Sequence, residues 1–283
     1  MDKSTSFSLN GSGWEINLAT PVVMGILNIT PDSFFDGGKY TSEKNFLFQT
    51  EKMLKEGAAI IDVGVASTRP GAEEVSKEEE IKRLIPAMQS LRNEFPEAIF
   101  SVDTYRSKVA QLAVETGAHI INDISGGTLD IEMFQTVAAL KVPYILMHIK
   151  GTPQNMQHDP QYVDVVQEVK YFFRKQLRKL KNFGVSENIV LDPGFGFGKT
   201  VENNYELLRD ISSFIDLGYP VLAGVSRKSI INKVLGIVPD VALNGTTVLN
   251  TIALMNGSSI LRVHDVKEAV EAVKLVGFYT GLK

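Results

Sequence analysis

The chain has 283 residues, with 29 Lys plus Arg against 33 Asp plus Glu and a formal net charge of −4. So mild an acidity offers no overall attraction to nucleic acid or an anionic membrane, and any anionic ligand must be held by cations gathered locally. There is no cysteine, which excludes disulfides, a thiolate metal site and a cysteine nucleophile.

In chain order, the first residues are polar and Ser-rich, without the apolar run of a signal peptide. No stretch reaches the roughly 20 apolar residues that cross a bilayer, so a cytoplasmic location is expected. Residues 7–18 predict a β-hairpin turning at Asn10-Gly11. Beyond it, short apolar runs at 22–29, 59–65, 99–102, 119–124, 144–148, 189–191, 221–225 and 259–263 alternate with longer amphipathic segments. Near-continuous apolar character is what strands buried on both faces of a parallel sheet require. Between them, Ile81, Leu84, Ile85, Met88 and Leu91 form one helical stripe. Val166, Val169, Phe173, Leu177 and Leu180 form another, as do Val266, Ala269, Val270 and Val273. Ser42 is placed to cap the first helix and Gly57 to end it. Gly117, Gly184 and Gly218 punctuate later helix-to-strand junctions.

Eight strand–helix units close a (β/α)8 TIM barrel, an α/β fold, with the hairpin covering the barrel floor and residues 1–283 forming a single domain. An open doubly wound sheet is the competing architecture. The connections at 30–41 and 66–75, rich in Gly, Pro, Ser and Asp, are expected as mobile loops over the C-terminal mouth, with a third long connection at 151–160.

Polar residues stand at nearly every strand end: Asn28, Asp62, Asp103, Asn122 with Asp123, His148, Asp192, Ser226-Arg227-Lys228, and Arg262 with His264. Strand C-termini form the catalytic face of such barrels, and polar groups buried there are costly unless they bind one another or a ligand. Asp103, Asn122 and Asp192 offer acceptors and an amide to a flat heterocycle with several N–H donors, since a carboxylate can accept two bonds from an N–C–N edge. Opposite them, Asn28, Arg69, Arg262 and His264 suit a phosphate or diphosphate, with Asn28 a candidate oxygen ligand for Mg2+.

Other features read as structural. The Gly194–Lys199–Thr200 run resembles a Walker A loop but is one residue short between Gly194 and Gly198-Lys199. No His spacing matches a zinc helix, and His119 and His158 read as structural or surface groups. Lys228 could form a Schiff base as in barrel aldolases, although Ser226, Arg227 and Ser229 beside it look like a ligand-gripping turn. Glu78-Glu79-Glu80 reads as the solvated start of a helix.

The ordered motifs resemble the dihydropteroate synthase family, the pterin-binding TIM-barrel enzymes of folate synthesis targeted by sulfonamides. They are MGILNITPDSFFDGG (24–38), STRPGA (67–72), SVDTY (101–105), INDISGG (121–127), LMH (146–148), LDPGFGFGK (191–199), GVSRKS (224–229) and LRVHDV (261–266), running nearly the whole chain. The resemblance implies a transferase that condenses 6-hydroxymethyl-7,8-dihydropterin diphosphate with p-aminobenzoate to 7,8-dihydropteroate and diphosphate, requiring Mg2+ and working as a homodimer through its outer helices. By matched position it implies that Asp103, Asn122, Asp192 and Lys228 hold the pterin, with Arg262 against its face. Asn28, Thr68, Arg69, Arg262 and His264 would engage the diphosphate, Asn28 also through the metal. Thr68, Pro70, Phe197, Lys228 and Ser229 would form the p-aminobenzoate pocket, and Asp36 would help order the reactive complex, making Asp36, Lys228 and Arg262 the catalytic set. The family often carries Glu or another polar residue where this chain has Ala66, so a side-chain contact from that position is absent here. A pterin-binding methyltransferase, a non-catalytic pterin-binding paralogue and a lysine-dependent aldolase are the rival classes.

Overall fold

A computed structural model of the chain describes residues 7–29, 39–65 and 75–281, the side chains of 39–42 aside. Its first elements are β1 (Ser8–Gly11) and β2 (Trp14–Asn17), paired antiparallel with Gly11 opposite Trp14. The expected hairpin is therefore present, but it turns at Ser12-Gly13 and not at Asn10-Gly11. Gly13 supplies the left-handed backbone the tight turn needs, with φ of 82°. Asn10 is used differently. Its N–H donates to Asn188 Oδ1 at 3.1 Å and its carbonyl accepts from Asn188 Nδ2 at 3.2 Å, tying the hairpin to the chain that enters a barrel strand.

The remaining strands are β3 (Val22–Asn28), β4 (Ile60–Gly64), β5 (Phe100–Asp103), β6 (Ile120–Asp123), β7 (Tyr144–Met147), β8 (Ile189–Asp192), β9 (Leu222–Ala223) and β10 (Ile260–Val263). They form an 8-stranded parallel sheet in the order β8-β7-β6-β5-β4-β3-β10-β9. A parallel bridge between Leu191 and Val221 joins the two outer strands, so the sheet closes. That closure decides for the barrel against the open doubly wound sheet.

Helices wrap the outside: α1 (Lys39–Lys55), α2 (Lys77–Glu94), α3 (Ser107–Glu115), α4 (Met133–Leu140), α5 (Val165–Asn182), α6 (Val201–Arg209), α7 (Ser212–Ile215), α8 (Ser229–Leu235), α9 (Leu243–Met255) and α10 (Val266–Thr280). The stripes behave as their period requires: Leu84, Met88 and Leu91 of α2 and Val169, Phe173 and Leu180 of α5 are buried. Ser42, expected as the cap of α1, lies inside it. No Gly or Pro follows Gly38 to halt the helix before Ser42, and α1 starts at Lys39. Gly57, Gly117, Gly184 and Gly218 all take positive φ at helix ends, as their positions predict. Among the described residues, no helix is long and apolar enough to cross a membrane.

Strand alternation sorts side chains into layers. Met24, Ile60, Ile120, Ile145, Val190, Leu222 and Ile260 fill the lower interior against Leu9 and Leu18 of the hairpin. The hairpin thus plugs the floor. One step of two residues further along four of these strands, the inward side chains become Asp62, Asn122, Asp192 and Arg262. The barrel is apolar below and polar at its mouth, and that change of character along single strands locates the site.

Candidate active site at the barrel mouth

Arg262 is the hub of the polar layer. Its Nε donates to Asp62 Oδ2 at 2.6 Å and its Nη2 to Asp103 Oδ2 at 2.8 Å. Asn122 Nδ2 donates to the same Asp62 oxygen at 3.0 Å. One guanidinium and one amide therefore converge on a carboxylate that is fully buried. Burial pushes the Asp103 carboxyl upward against the opposing pull of Arg262, while Asp62 and Asp103 hold the guanidinium charged despite its burial. Asp62 Oδ1 and Asn122 Oδ1 are buried without a hydrogen-bond partner among the described residues. Such atoms are costly unless a ligand supplies donors.

Arg262 was expected opposite the acidic groups; it stands among them. A carboxylate with no water around it needs a cation at contact distance, and β10 and β4 flank β3 closely enough to provide one.

The second group forms around Lys228, the residue preceding α8. Its Nζ donates to the Phe195 carbonyl at 2.5 Å and lies 4.7 Å from the centre of the Phe197 ring. Burial brings the ammonium down to about 8, with Asp192 and Asp103 opposing and Arg262 reinforcing the shift. Arg262 bonds Asp103 and lies with Lys228 beside Gly224, and Asp192 holds the inward position on β8 that Arg262 holds on β10, so the four groups are gathered at the mouth. A Cβ built on Gly224 would meet Lys228 Nζ at 3.7 Å and Arg262 Cβ at 4.0 Å, so this glycine leaves space between the two cations. Asp192 accepts from Gly194 N at 2.7 Å; burial raises its carboxyl, with Lys228 opposing. His264 is half-buried, its Nδ1 3.1 Å from Ser226 Oγ. Ser229 opens α8 and is exposed.

Asn28 ends β3 with its side chain exposed. A Cβ built on Gly64 would come within 3.6 Å of Asn28 Oδ1 and of Asp103 Cβ, so glycine at that position keeps open the space beside the amide oxygen. Asp36, Thr68, Arg69 and Pro70 lie outside the described residues, as do Ala66 and most of the 30–41 and 66–75 connections.

Several sequence expectations change. Arg227 does not grip a ligand: its Nε and Nη2 both bond Asp265, at 2.9 and 2.7 Å, and its Nη1 reaches the Pro239 and Asp240 carbonyls. Asp123 points outward, as period-two alternation after Asn122 demands, and accepts from Tyr144 Oη, Ser125 N and Gly127 N. Glu80 is not part of a solvated helix start; it is 2% exposed and accepts from Thr104 Oγ1 at 2.6 Å. The near-Walker run, by contrast, is structural as its short spacing implied, and is closed on itself. Lys199 is buried, and its Nζ is taken up by the Gly194, Phe197 and His148 carbonyls and by His148 Nδ1. Burial and the nearby Lys199 and Lys150 keep His148 neutral. Asp62, the anchor of Arg262, was visible in the sequence only as a strand carboxylate. Its spacing of two from the inward Ile60 is the signal that it faces the mouth.

Residues 24–264 match the profile of the pterin binding enzyme family. The chain is 44% identical to a dihydropteroate synthase of Haemophilus influenzae, covering 92% of this chain and 94% of that one. It is likewise 44% identical to a dihydropteroate synthase of Escherichia coli over 95% of both chains. The chain belongs to the dihydropteroate synthase family. Membership brings a transferase activity, the dihydropteroate synthase step of folate biosynthesis. The fold agrees: a crystal structure of Yersinia pestis dihydropteroate synthase with a sulfonamide drug superposes with a TM-score of 0.91 at 40% identity, covering 97% of this chain and 100% of that one. The Xanthomonas albilineans dihydropteroate synthase bound to 4-aminobenzoic acid gives 0.90 at 37% identity, covering 99% and 100%.

Proposed function

We propose that this mouth condenses 6-hydroxymethyl-7,8-dihydropterin diphosphate with p-aminobenzoate, giving 7,8-dihydropteroate and diphosphate. The observation that carries this is the unpartnered Asn122 Oδ1, a buried acceptor bonded through its amide nitrogen to Asp62 and paired across β5 and β6 with Asp103. A flat ring edged with N–H donors satisfies it, whereas a bare sugar phosphate presents hydroxyls and no such edge.

In this reading Asp103, Asn122, Asp192 and Lys228 hold the pterin, and Arg262 lies against its face. The bond between the pterin's exocyclic carbon and the diphosphate oxygen breaks with both electrons leaving on oxygen. The resulting cation is delocalised into the electron-rich ring and stabilised by the carboxylates around it. Arg262, His264, Arg69, Thr68 and Asn28 stabilise the departing anion. The aryl amine then forms the C–N bond from its lone pair and sheds a proton to solvent or diphosphate, so no general base is assigned. Thr68, Pro70, Phe197, Lys228 and Ser229 orient the amine, and Asp36 helps order the complex; positioning and water exclusion matter most for so weak a nucleophile.

Mg2+ fits this donor set. Among the described residues no three acidic or imidazole groups form a cage, whereas Asn28 Oδ1 is a hard oxygen beside open space. Mg2+ commonly takes one or two protein oxygens and completes its shell with phosphate and water. When bound it would neutralise charge on the diphosphate.

The reading extends to one pterin-binding domain over 1–283, a cytoplasmic location and a homodimer. For the last, exposed apolar side chains on two adjacent outer helices give support: Val248, Ile252 and Met255 on α9 and Leu275, Phe278 and Tyr279 on α10. The decisive experiment is diphosphate release from the pterin substrate with and without p-aminobenzoate. Dihydropteroate formed in equal amount with diphosphate is expected. Pterin binding with no release would favour the methyltransferase or paralogue, and a borohydride-trapped adduct on Lys228 the aldolase.

A further inference from the structure

Two neighbouring side-chain links join the chain beyond β9 to the chain beyond β10. In the first, Arg227 grips Asp265 with a two-point fork, Nε at 2.9 Å and Nη2 at 2.7 Å. The Arg227 backbone N–H donates to Thr246 Oγ1 at 3.0 Å, which ties the same turn to α9. In the second, one residue earlier on each side, Ser226 meets His264. Ser226 Oγ accepts from the His264 backbone N–H at 3.2 Å and lies 3.1 Å from the ring Nδ1. Ser226 is buried, and these are the hydrogen bonds of its hydroxyl among the described residues.

What each atom needs assigns the protons of this contact. A serine hydroxyl has one proton to give and two lone pairs with which to accept. The backbone N–H uses one lone pair, so the hydroxyl proton still needs an acceptor, and a buried donor left without one is costly. Nδ1 is the acceptor within reach. It accepts only when it carries no proton, which puts the ring proton of neutral His264 on Nε2. The reverse arrangement, with Nδ1–H donating to Oγ, strands the hydroxyl proton.

We propose that Ser226 is a positioning residue that holds His264 as the Nε2–H tautomer, so that the imidazole meets the departing diphosphate as a hydrogen-bond donor. The Arg227–Asp265 fork keeps the two strand ends together at this contact. The proposal rests on the assignment of His264, two residues past Arg262, to the diphosphate side. A diphosphate oxygen accepts, so the opposite tautomer would set a nitrogen lone pair against it.

The test labels histidine with 15N in the full chain and reads the His264 ring by nitrogen–proton correlation. Spectra are taken at about pH 8.5, where an ordinary imidazole is neutral, and His264→Gln identifies the signals. In the wild type the proton is expected on Nε2; in Ser226→Ala the two tautomers are expected to mix. Binding of inorganic diphosphate with Mg2+, followed by calorimetry, should weaken about tenfold in Ser226→Ala. A wild-type ring protonated on Nδ1, or an unchanged tautomer in folded Ser226→Ala, would overturn the proposal. Equal diphosphate affinity in wild type and Ser226→Ala would overturn its functional half. If His264→Gln binds diphosphate as wild type does, the assignment of His264 to the anion falls, while the tautomer still decides whether Ser226 orients the ring.

Discussion

Asp62 and Arg262 share a 2.6 Å hydrogen bond across 200 residues of sequence, on the two strands that flank β3. The contact makes Arg262 a structural cation as well as a candidate catalytic one, because Asp62 is completely buried and Asn122 leans on the same oxygen.

Arg262→Ala should therefore do two things at once. Turnover should fall by well over about tenfold, since a single transition-state donor carries a few kcal/mol. Stability should also fall, by about 3–5 kcal/mol, because a buried carboxylate loses its partner. Thermal melting beside the diphosphate assay separates the two effects, and a wild-type melting temperature would show that Asp62 does not depend on Arg262.

Lys228→Met should behave in the opposite way. The ammonium is lowered from 10.5 to about 8 by burial, so between those values the unfolded chain binds more protons than the folded one. The penalty of holding the charged form inside is complete below pH 8 and fades as pH rises toward 10.5. Replacing it with Met should lower turnover by more than about tenfold yet raise the melting temperature at pH 7, with the gain shrinking toward pH 10.5. A variant less stable than wild type at pH 7 would contradict this balance.

At the floor, His119 Nδ1 accepts from Phe100 N at 3.1 Å and the ring meets Trp14 edge to face. Burial, reinforced by Arg92, lowers this imidazole from 6.5 to about 4. The folded chain thus binds fewer protons there than the unfolded chain. The stabilisation is complete above pH 6.5 and lost as pH falls toward 4. His119→Asn, whose amide oxygen can replace the acceptor, should flatten the melting temperature over pH 4–6.5. An unchanged acid slope would place that sensitivity elsewhere.

Phe278 is 90% exposed and Leu275 72% exposed on α10. If this face joins two copies, Leu275→Asp with Phe278→Asp should halve the mass seen in sedimentation while leaving the circular dichroism unchanged. A monomeric wild type would remove the homodimer from the proposed function.

Much of this was legible in the residues. Eight buried-strand runs, alternating with stripes such as Leu84–Met88–Leu91, require a closed parallel sheet or a doubly wound one. Eight motifs in order identify the family and point to Asp103, Asn122, Asp192, Lys228 and Arg262. The hairpin turn was misplaced by local chemistry: Asn-Gly is a strong turn signal, but Asn10 was needed by Asn188 and Gly13 could take the turn. Glu80 and Arg227 were misread for a related cause. Each is a charged residue whose partner is remote in sequence or is a backbone carbonyl, and neither kind of partner leaves a trace in local pattern.

The sequence by itself determined the period of each element, the chemical inventory of the mouth and the family, because these depend on spacing and residue type along one segment. Only the tertiary structure decided that the sheet closes at Leu191 and Val221, that Arg262 sits among carboxylates, and that Ser226 meets His264. Those outcomes depend on distances between strands and loops far apart in the chain. Burial then sets the terms, since a charge removed from water must take whichever partner the fold brings within reach.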